Sequence, residues 1–196
     1  MARRNHEKAY WETNSLEDHV GLMRDMVRRS LTEGGIQRVT KKVLAGQPDD
    51  VEWTLTGRKP VIRQWGKSLS MVNVKPAASS DDPACRLIPV WNFVVNNLKY
   101  VPDPEGFDLF KTAEVALLDG QGDCDDSCIT LSAMILAGSL GRPYARVIST
   151  DGEHWVHVYC VVVLPNGSEV ALDPTVNGAV PGWEFPRAKA VRDFPM

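Results

Sequence analysis

A cysteine, a histidine and an aspartate stand in this chain in an order from which a nucleophile can be built. Cys124 lies in Gly122-Asp123-Cys124-Asp125-Asp126, His157 opens the run His-Val-Tyr-Cys-Val-Val-Val-Leu-Pro-Asn-Gly, and Asp173 sits in Leu172-Asp173-Pro174-Thr175. A thiol in the first turn of a helix meets free N–H groups and the positive end of the dipole, which favour thiolate. A histidine in a strand can take the thiol proton, and an aspartate in the next strand can hold the ring in one tautomer. Most free cysteines are small core residues. Packing alone, however, calls for neither the three carboxylates nor the two glycines, Gly120 and Gly122, beside Cys124. Cys128, one turn along, reads as packing.

These residues need a helix and two strands to hold them. Cys124 to Ala137, with Ile129, Leu131, Ile135 and Leu136, predicts a central helix with wide apolar faces. Strands are predicted over 144–149, 155–164 and 169–172, with Asn166-Gly167 a strong hairpin signal between the last two. Strand alternation would put His154 and His157 on opposite faces, so only one can turn to Cys124. A regular two-residue Asn-Gly turn would set Asp173 nearer Cys160 than His157. A bulge or longer loop, consistent with Pro165 and Ser168, is needed to bring Asp173 to the histidine.

Upstream, Leu16, Val20, Met23, Val27 and Leu31 recur at helical spacing over 15–31. Ser15 with Asp18 caps the start, Arg28 and Arg29 fall in the last turn, and Gly34-Gly35 ends the helix. Residues 51–56 and 70–74 alternate like strands around a turn at Gly57, and 77–83 reads as a linker. Pro83 suits a first helical position before the stripe Leu87, Val90, Trp91, Val94, Leu98. Thr112 caps a short helix to Leu118, which Gly120-Gln121-Gly122 breaks. The domain reading is an N-terminal helical or mixed extension, residues 1–80, and a core, residues 81–196.

The chain of 196 residues is 43% hydrophobic and 24% charged, the balance of an ordinary globular protein. No apolar run approaches the roughly 18–20 residues that span a bilayer. Basic residues at the N-terminus precede no apolar segment, so no secretory signal is expected and cytoplasmic synthesis is the default. Four cysteines in such a context argue against a disulfide framework. Residues 1–75 carry 14 basic and 9 acidic side chains, whereas 76–196 carry 8 and 16. The plain reading is two solvated faces; the sharper one docks the basic part on an acidic partner, phage or host, or on the rest of its own chain. Neither a nucleic-acid-binding module nor a membrane segment is expected.

Gly-Asp-Cys-Asp-Asp opening an apolar helix, then His-Val-Tyr with alternating valines, then Leu-Asp-Pro-Thr, resembles the transglutaminase-like superfamily of papain-type Cys-His-Asp proteins. Asn97-Leu-Lys-Tyr100-Val-Pro-Asp103-Pro104 and Thr112-Ala-Glu resemble the lead-in of compact bacterial and phage-encoded members. The likeness covers roughly residues 85–176. It implies an α+β, papain-like fold in which a central helix carries Cys124 and an antiparallel sheet carries His157 and Asp173. It also implies a cysteine protease or amidase acting on peptide or isopeptide bonds, with hydrolysis favoured over cross-linking. His157 fits the family's base better than His154, which is off by a residue, and Asp173 is the orienting carboxylate by motif. The oxyanion hole would use the Cys124 N–H, with Gln121 or the Trp91 indole as a second donor. A protein or peptide substrate and no cofactor are expected, and a virion-associated location follows if the gene is phage-borne.

Three other readings compete. Cys124, Cys128, His154, His157 and Cys160 supply soft ligands for zinc, although at poor spacing. Asp123, Asp125 and Asp126 lack the spacing of a calcium loop and better suit a helix-start cap. The fold could also serve as an idle scaffold in an assembly protein.

Overall fold

The computed structural model describes residues 9–11, 15–46, 83–104 and 107–196. After a short strand β1 (Ala9–Trp11), Ser15 opens α1 (Leu16–Glu33), its hydroxyl accepting from the Asp18 N–H. Gly34, at φ 74°, ends it. The helix runs further than its apolar stripe suggested, so Arg28 and Arg29 lie ahead of the last turn rather than within it. Gly34 also begins α2 (Gly35–Leu44), which the double glycine hid by reading as a stop. Ile36, Val39, Thr40 and Val43 form its buried stripe. No side chain of its own caps α2; the Ile36 N–H donates instead to Glu114 Oε1 at 2.9 Å. The strands read at 51–56 and 70–74 lie outside the described residues, as does most of the linker.

Pro83–Leu87 forms a 3-10 turn rather than the first turn of the helix, and α3 (Ile88–Asn97) follows. The stripe Leu87, Val90, Trp91, Val94, Leu98 is buried as its spacing predicts. Next come β2 (Lys99–Tyr100), β3 (Asp108–Phe110), α4 (Ala113–Asp119) and β4 (Gln121–Gly122). β1 pairs antiparallel with β3, and β2 pairs parallel with β4. Thr112 caps α4 by accepting from the Val115 N–H. The central helix α5 (Cys124–Ala137) then begins at Cys124, with the bounds read from the sequence. Every residue from Asp125 to Ile135 is buried, which explains why its apolar faces are so wide.

The chain ends in a four-stranded antiparallel sheet of β5 (Arg142–Ser149), β6 (Trp155–Val163), β7 (Glu169–Leu172) and β8 (Ala190–Pro195), in the order β7-β6-β5-β8. Sequence reading missed β8, an edge strand whose Val191 is exposed and whose Arg192 and Asp193 interrupt any alternation. One core joins α1, α2, α3 and α5 to the sheet face formed by Val158, Cys160, Val162 and Leu172. The opposite face carries Ile148, Tyr159, Val161 and Ala171, against which Phe185 and Ala188 pack. This is an α+β fold with a central helix on an antiparallel sheet, and helices α1 and α2 share its core.

The β6–β7 connection decides which face Asp173 joins. The Leu164 N–H donates to Ser168 O at 2.8 Å and the Gly167 N–H to Leu164 O at 2.9 Å. The loop is therefore three residues, Pro165-Asn166-Gly167, with Gly167 in the left-handed region at φ 84°. Cys160 lies opposite Leu172, so continuing the register sets Asp173 opposite Tyr159. One loop residue beyond the simple Asn-Gly turn thus moves Asp173 off the core face and onto the face of His157.

Candidate functional site

Gly122 is confined to glycine by a close approach: a Cβ there would lie 2.6 Å from Asp126 Cβ. That approach presses β4 against the first turn of α5. Asp123 caps the helix, Oδ1 accepting from the N–H of Asp125 at 3.0 Å and of Asp126 at 3.2 Å. Asp126 plays a different part from the cap expected of it. It is wholly buried; Oδ1 accepts from the Lys111 N–H at 2.9 Å, and Oδ2 lies 3.2 Å from Lys111 Nζ. That second contact is ionic rather than a well-aligned hydrogen bond.

Cys124 starts α5 half-buried, and the backbone N–H of Val158 is near enough to its thiol to favour the thiolate. Strand pairing explains the position. The N–H groups of β6 alternate sides, and the Leu164 N–H points to the β7 side, so that of Val158 does too. β7 stops at Leu172, opposite Cys160. The Val158 amide is thus left beyond the end of β7, free of a β7 partner, and it acts on the Cys124 thiol.

His157 lies opposite Ile148 on the other face of the sheet, its ring 5.9 Å from Tyr159 and 6.2 Å from Phe185. Its Nε2 is 2.7 Å from Asp173 Oδ2. Asp173 is buried, and its Oδ1 accepts from the Thr175 N–H at 3.1 Å and the Thr175 hydroxyl at 2.7 Å. A carboxylate cannot donate, so Nε2 carries the ring proton of a neutral imidazole and Nδ1 carries the lone pair. The structure therefore brings His157 and Asp173 together and sets Cys124 against Val158, the residue beside His157. Among the described residues no hydrogen bond joins the Cys124 thiol to the His157 ring.

The other expected residues lie elsewhere. His154 sits in the turn before β6 rather than in the strand, Nδ1 2.7 Å from Asp151 Oδ2, so strand alternation does not apply to it. Trp91 is buried on α3 in the main core, and Gln121 is exposed on β4, its carbonyl accepting from Lys111 Nζ at 3.0 Å. The soft ligands considered for zinc are not gathered. Cys128 and Cys160 are buried beneath the sheet, His157 is on its far face, and His154 is in a loop. Ligand atoms of Asp123, Cys124 and Asp125 do fall within 4.8 Å of one another.

Crowding of like groups sets the local electrostatics. Burial pushes the Cys124 thiol well above its ordinary value, and the charges of Asp125 and Asp123 push it further; the N–H groups of Val158 and Cys124 only partly offset them. This corrects the expectation that the helix start alone favours thiolate, because desolvation and two carboxylates outweigh the dipole. Asp123 is lifted to about 8 by burial and by Asp125 and Asp126. Asp126 is lifted to about 6 by burial, against the pull of Lys111.

Three residues near the site were not singled out from sequence. Tyr100, paired with Gly122, is raised by burial and by the nearby Cys124, Asp123 and Asp125. Lys111 neutralises Asp126. His19, from α1, places Nε2 3.0 Å from Asp125 Oδ2 and Nδ1 3.6 Å from Asp108 Oδ2. A signal for His19 was available: it stands between Leu16 and Met23 at the edge of the apolar stripe, where a polar side chain needs a partner.

No family model matches the chain, and no curated protein matches it. Among solved structures, LapG of Legionella pneumophila superimposes with a TM-score of 0.36 at 18% identity, covering 61% of this chain and 77% of that one. A likeness of that size leaves the site to be read from its own geometry. No helix among the described residues is long and apolar enough to cross a membrane.

Proposed function

We propose that the chain is a cysteine-dependent acyl-transfer enzyme that hydrolyses peptide or isopeptide amide bonds. The observation that carries this is the His157–Asp173 bond of 2.7 Å, formed one residue from Val158, whose N–H favours the Cys124 thiolate. In the reaction, His157 Nδ1 takes the thiol proton as Cys124 Sγ attacks the amide carbonyl. The tetrahedral intermediate collapses to a thioester as His157 passes that proton to the departing amine. Water, deprotonated by the same ring, then attacks the thioester, and the thiol leaves with the proton restored. Asp173 holds the ring in the required tautomer and balances the imidazolium. The Cys124 N–H, at the start of α5, is the oxyanion donor. With thiol burial opposing the bare thiolate, the imidazolium of His157 supplies the compensating charge. The motif resemblance favours water over a lysine amine as acceptor.

A second reading is the idle scaffold, and one observation favours it: burial, Asp125 and Asp123 all raise the thiol. The two readings separate on a peptide library. A proteome-derived library incubated with the protein and a fluorescent primary amine is expected to show new N-termini, with little amine incorporated. Cys124→Ala is expected to abolish both. Equal termini from the wild type and Cys124→Ala would overturn the enzyme reading, and amine incorporation exceeding cleavage would replace water with an amine as the acceptor.

A further inference from the structure

Asp125 is the carboxylate that most directly opposes a Cys124 thiolate, since it follows Cys124 in the chain and its Oδ1 lies 4.0 Å from Sγ. It is 7% exposed, so water screens it poorly. Its other oxygen is not idle: Oδ2 lies 3.0 Å from His19 Nε2. Phe110 meets the His19 ring edge-on, with centroids 4.8 Å apart, which fixes its plane.

We infer that His19 is a positioning residue of the Cys124 site: its imidazolium holds Asp125 in a charge-balanced bond, so that this carboxylate does not oppose the thiolate beside it. The inference rests on reading Cys124 as the nucleophile. It gives α1 a part in the chemistry, although α1 carries no residue that touches the reacting atoms. The groups around the ring are acidic. Asp125 and Asp123 come from the start of α5, and Asp108 comes from β3. Burial draws the His19 pKa down, but the bond to Asp125 and the charges of Asp125, Asp108 and Asp123 outweigh it, and the net shift is upward. The ring is thus held as the cation over a wider pH range than a free histidine.

The alternative is a plain structural staple, which glutamine could imitate with a neutral hydrogen bond. The test is the pH profile of iodoacetamide labelling at Cys124 in the full chain, for wild type, His19→Gln, Asp125→Asn and the double variant. His19→Gln is expected to slow labelling at pH 7 about tenfold, the equivalent of a one-unit rise in thiol pKa. Asp125→Asn is expected to label at least as fast as wild type, and His19→Gln is expected to have no further effect in that background. Equal slowing by His19→Gln with and without Asp125 would show a staple and overturn the inference. So would labelling of His19→Gln at the wild-type rate while His157→Ala is slow, which leaves the nucleophile reading standing. Wild-type Cys124 reacting no faster than Cys85 would end both. Should His19→Gln not fold, Asp125→Asn alone decides: a rate below wild type contradicts charge balance.

Discussion

Lys111→Met is expected to cost the fold about 3–5 kcal/mol at pH 8, the usual penalty for stranding one partner of a buried ion pair. Asp126 is fully buried and Lys111 nearly so, with 3.2 Å between Nζ and Oδ2. Lys111 also donates from Nζ to Gln121 O and from its own N–H to Asp126 Oδ1. The one side chain therefore ties the chain before α4, strand β4 and the first turn of α5 together. The cost is expected to shrink as pH falls. Asp126 in the fold sits at about 6, above the ordinary 3.8, even with Lys111 present. A carboxyl raised by folding binds its proton more tightly in the native state, so acidification through the window between the two values stabilises the fold. Removing Lys111 lifts the folded value further and extends that window upward. Urea denaturation at pH 5.5 and 8 checks this: a loss of the same size at both would mean that the stranded charge is not its cause.

Deleting Val170 from β7 is expected to destabilise the sheet by roughly 3 kcal/mol or more. The three-residue loop still pairs Leu164 with Ser168, but every β7 residue past the deletion slips by one and turns to the opposite face. Leu172, now fully buried, would leave the core; losing a buried leucine typically costs about 2–5 kcal/mol. Asp173 would turn toward the apolar face of Cys160, where an unpaired carboxylate is costlier still. The chain is expected to avoid this by releasing β7, which breaks the 2.7 Å bond to His157. Denaturant melts and the imidazole NMR signals of His157 measure both effects. Unchanged stability with an unchanged His157 environment would contradict the parity argument.

The parts legible in sequence were those that one strong local signal specifies. Ser15 and Thr112 cap where expected. The α5 helix begins at Cys124 because Asp123 caps it. The alternating valines of 156–163 are a strand because the opposite sides of β6 are buried by different partners. Misses came where long-range contacts decide. The α2 helix is capped by Glu114, seventy-eight residues away in sequence. The β8 strand is held by pairing with β5 and by contacts such as Arg192 with Glu17 and Arg24 with Pro195 O. At the candidate site, motif order pointed to Cys124, His157 and Asp173, and the length of the β6–β7 loop explains how Asp173 reaches His157. The charges that set thiol reactivity were not legible, because His19 and Lys111 reach Asp125 and Asp126 from elements remote in sequence.

The most direct test of the central claim is the iodoacetamide labelling rate of each cysteine, followed by mass spectrometry from pH 5 to 9, in wild type and His157→Ala. An assembled Cys-His-Asp site predicts that Cys124 outpaces Cys85, Cys128 and Cys160 near neutral pH. It also predicts that His157→Ala slows Cys124 about a hundredfold, the scale of a lost proton-transfer partner. Labelling of Cys124 at the rate of Cys85, indifferent to His157, would contradict the account and leave a buried thiol beside a structural His–Asp pair.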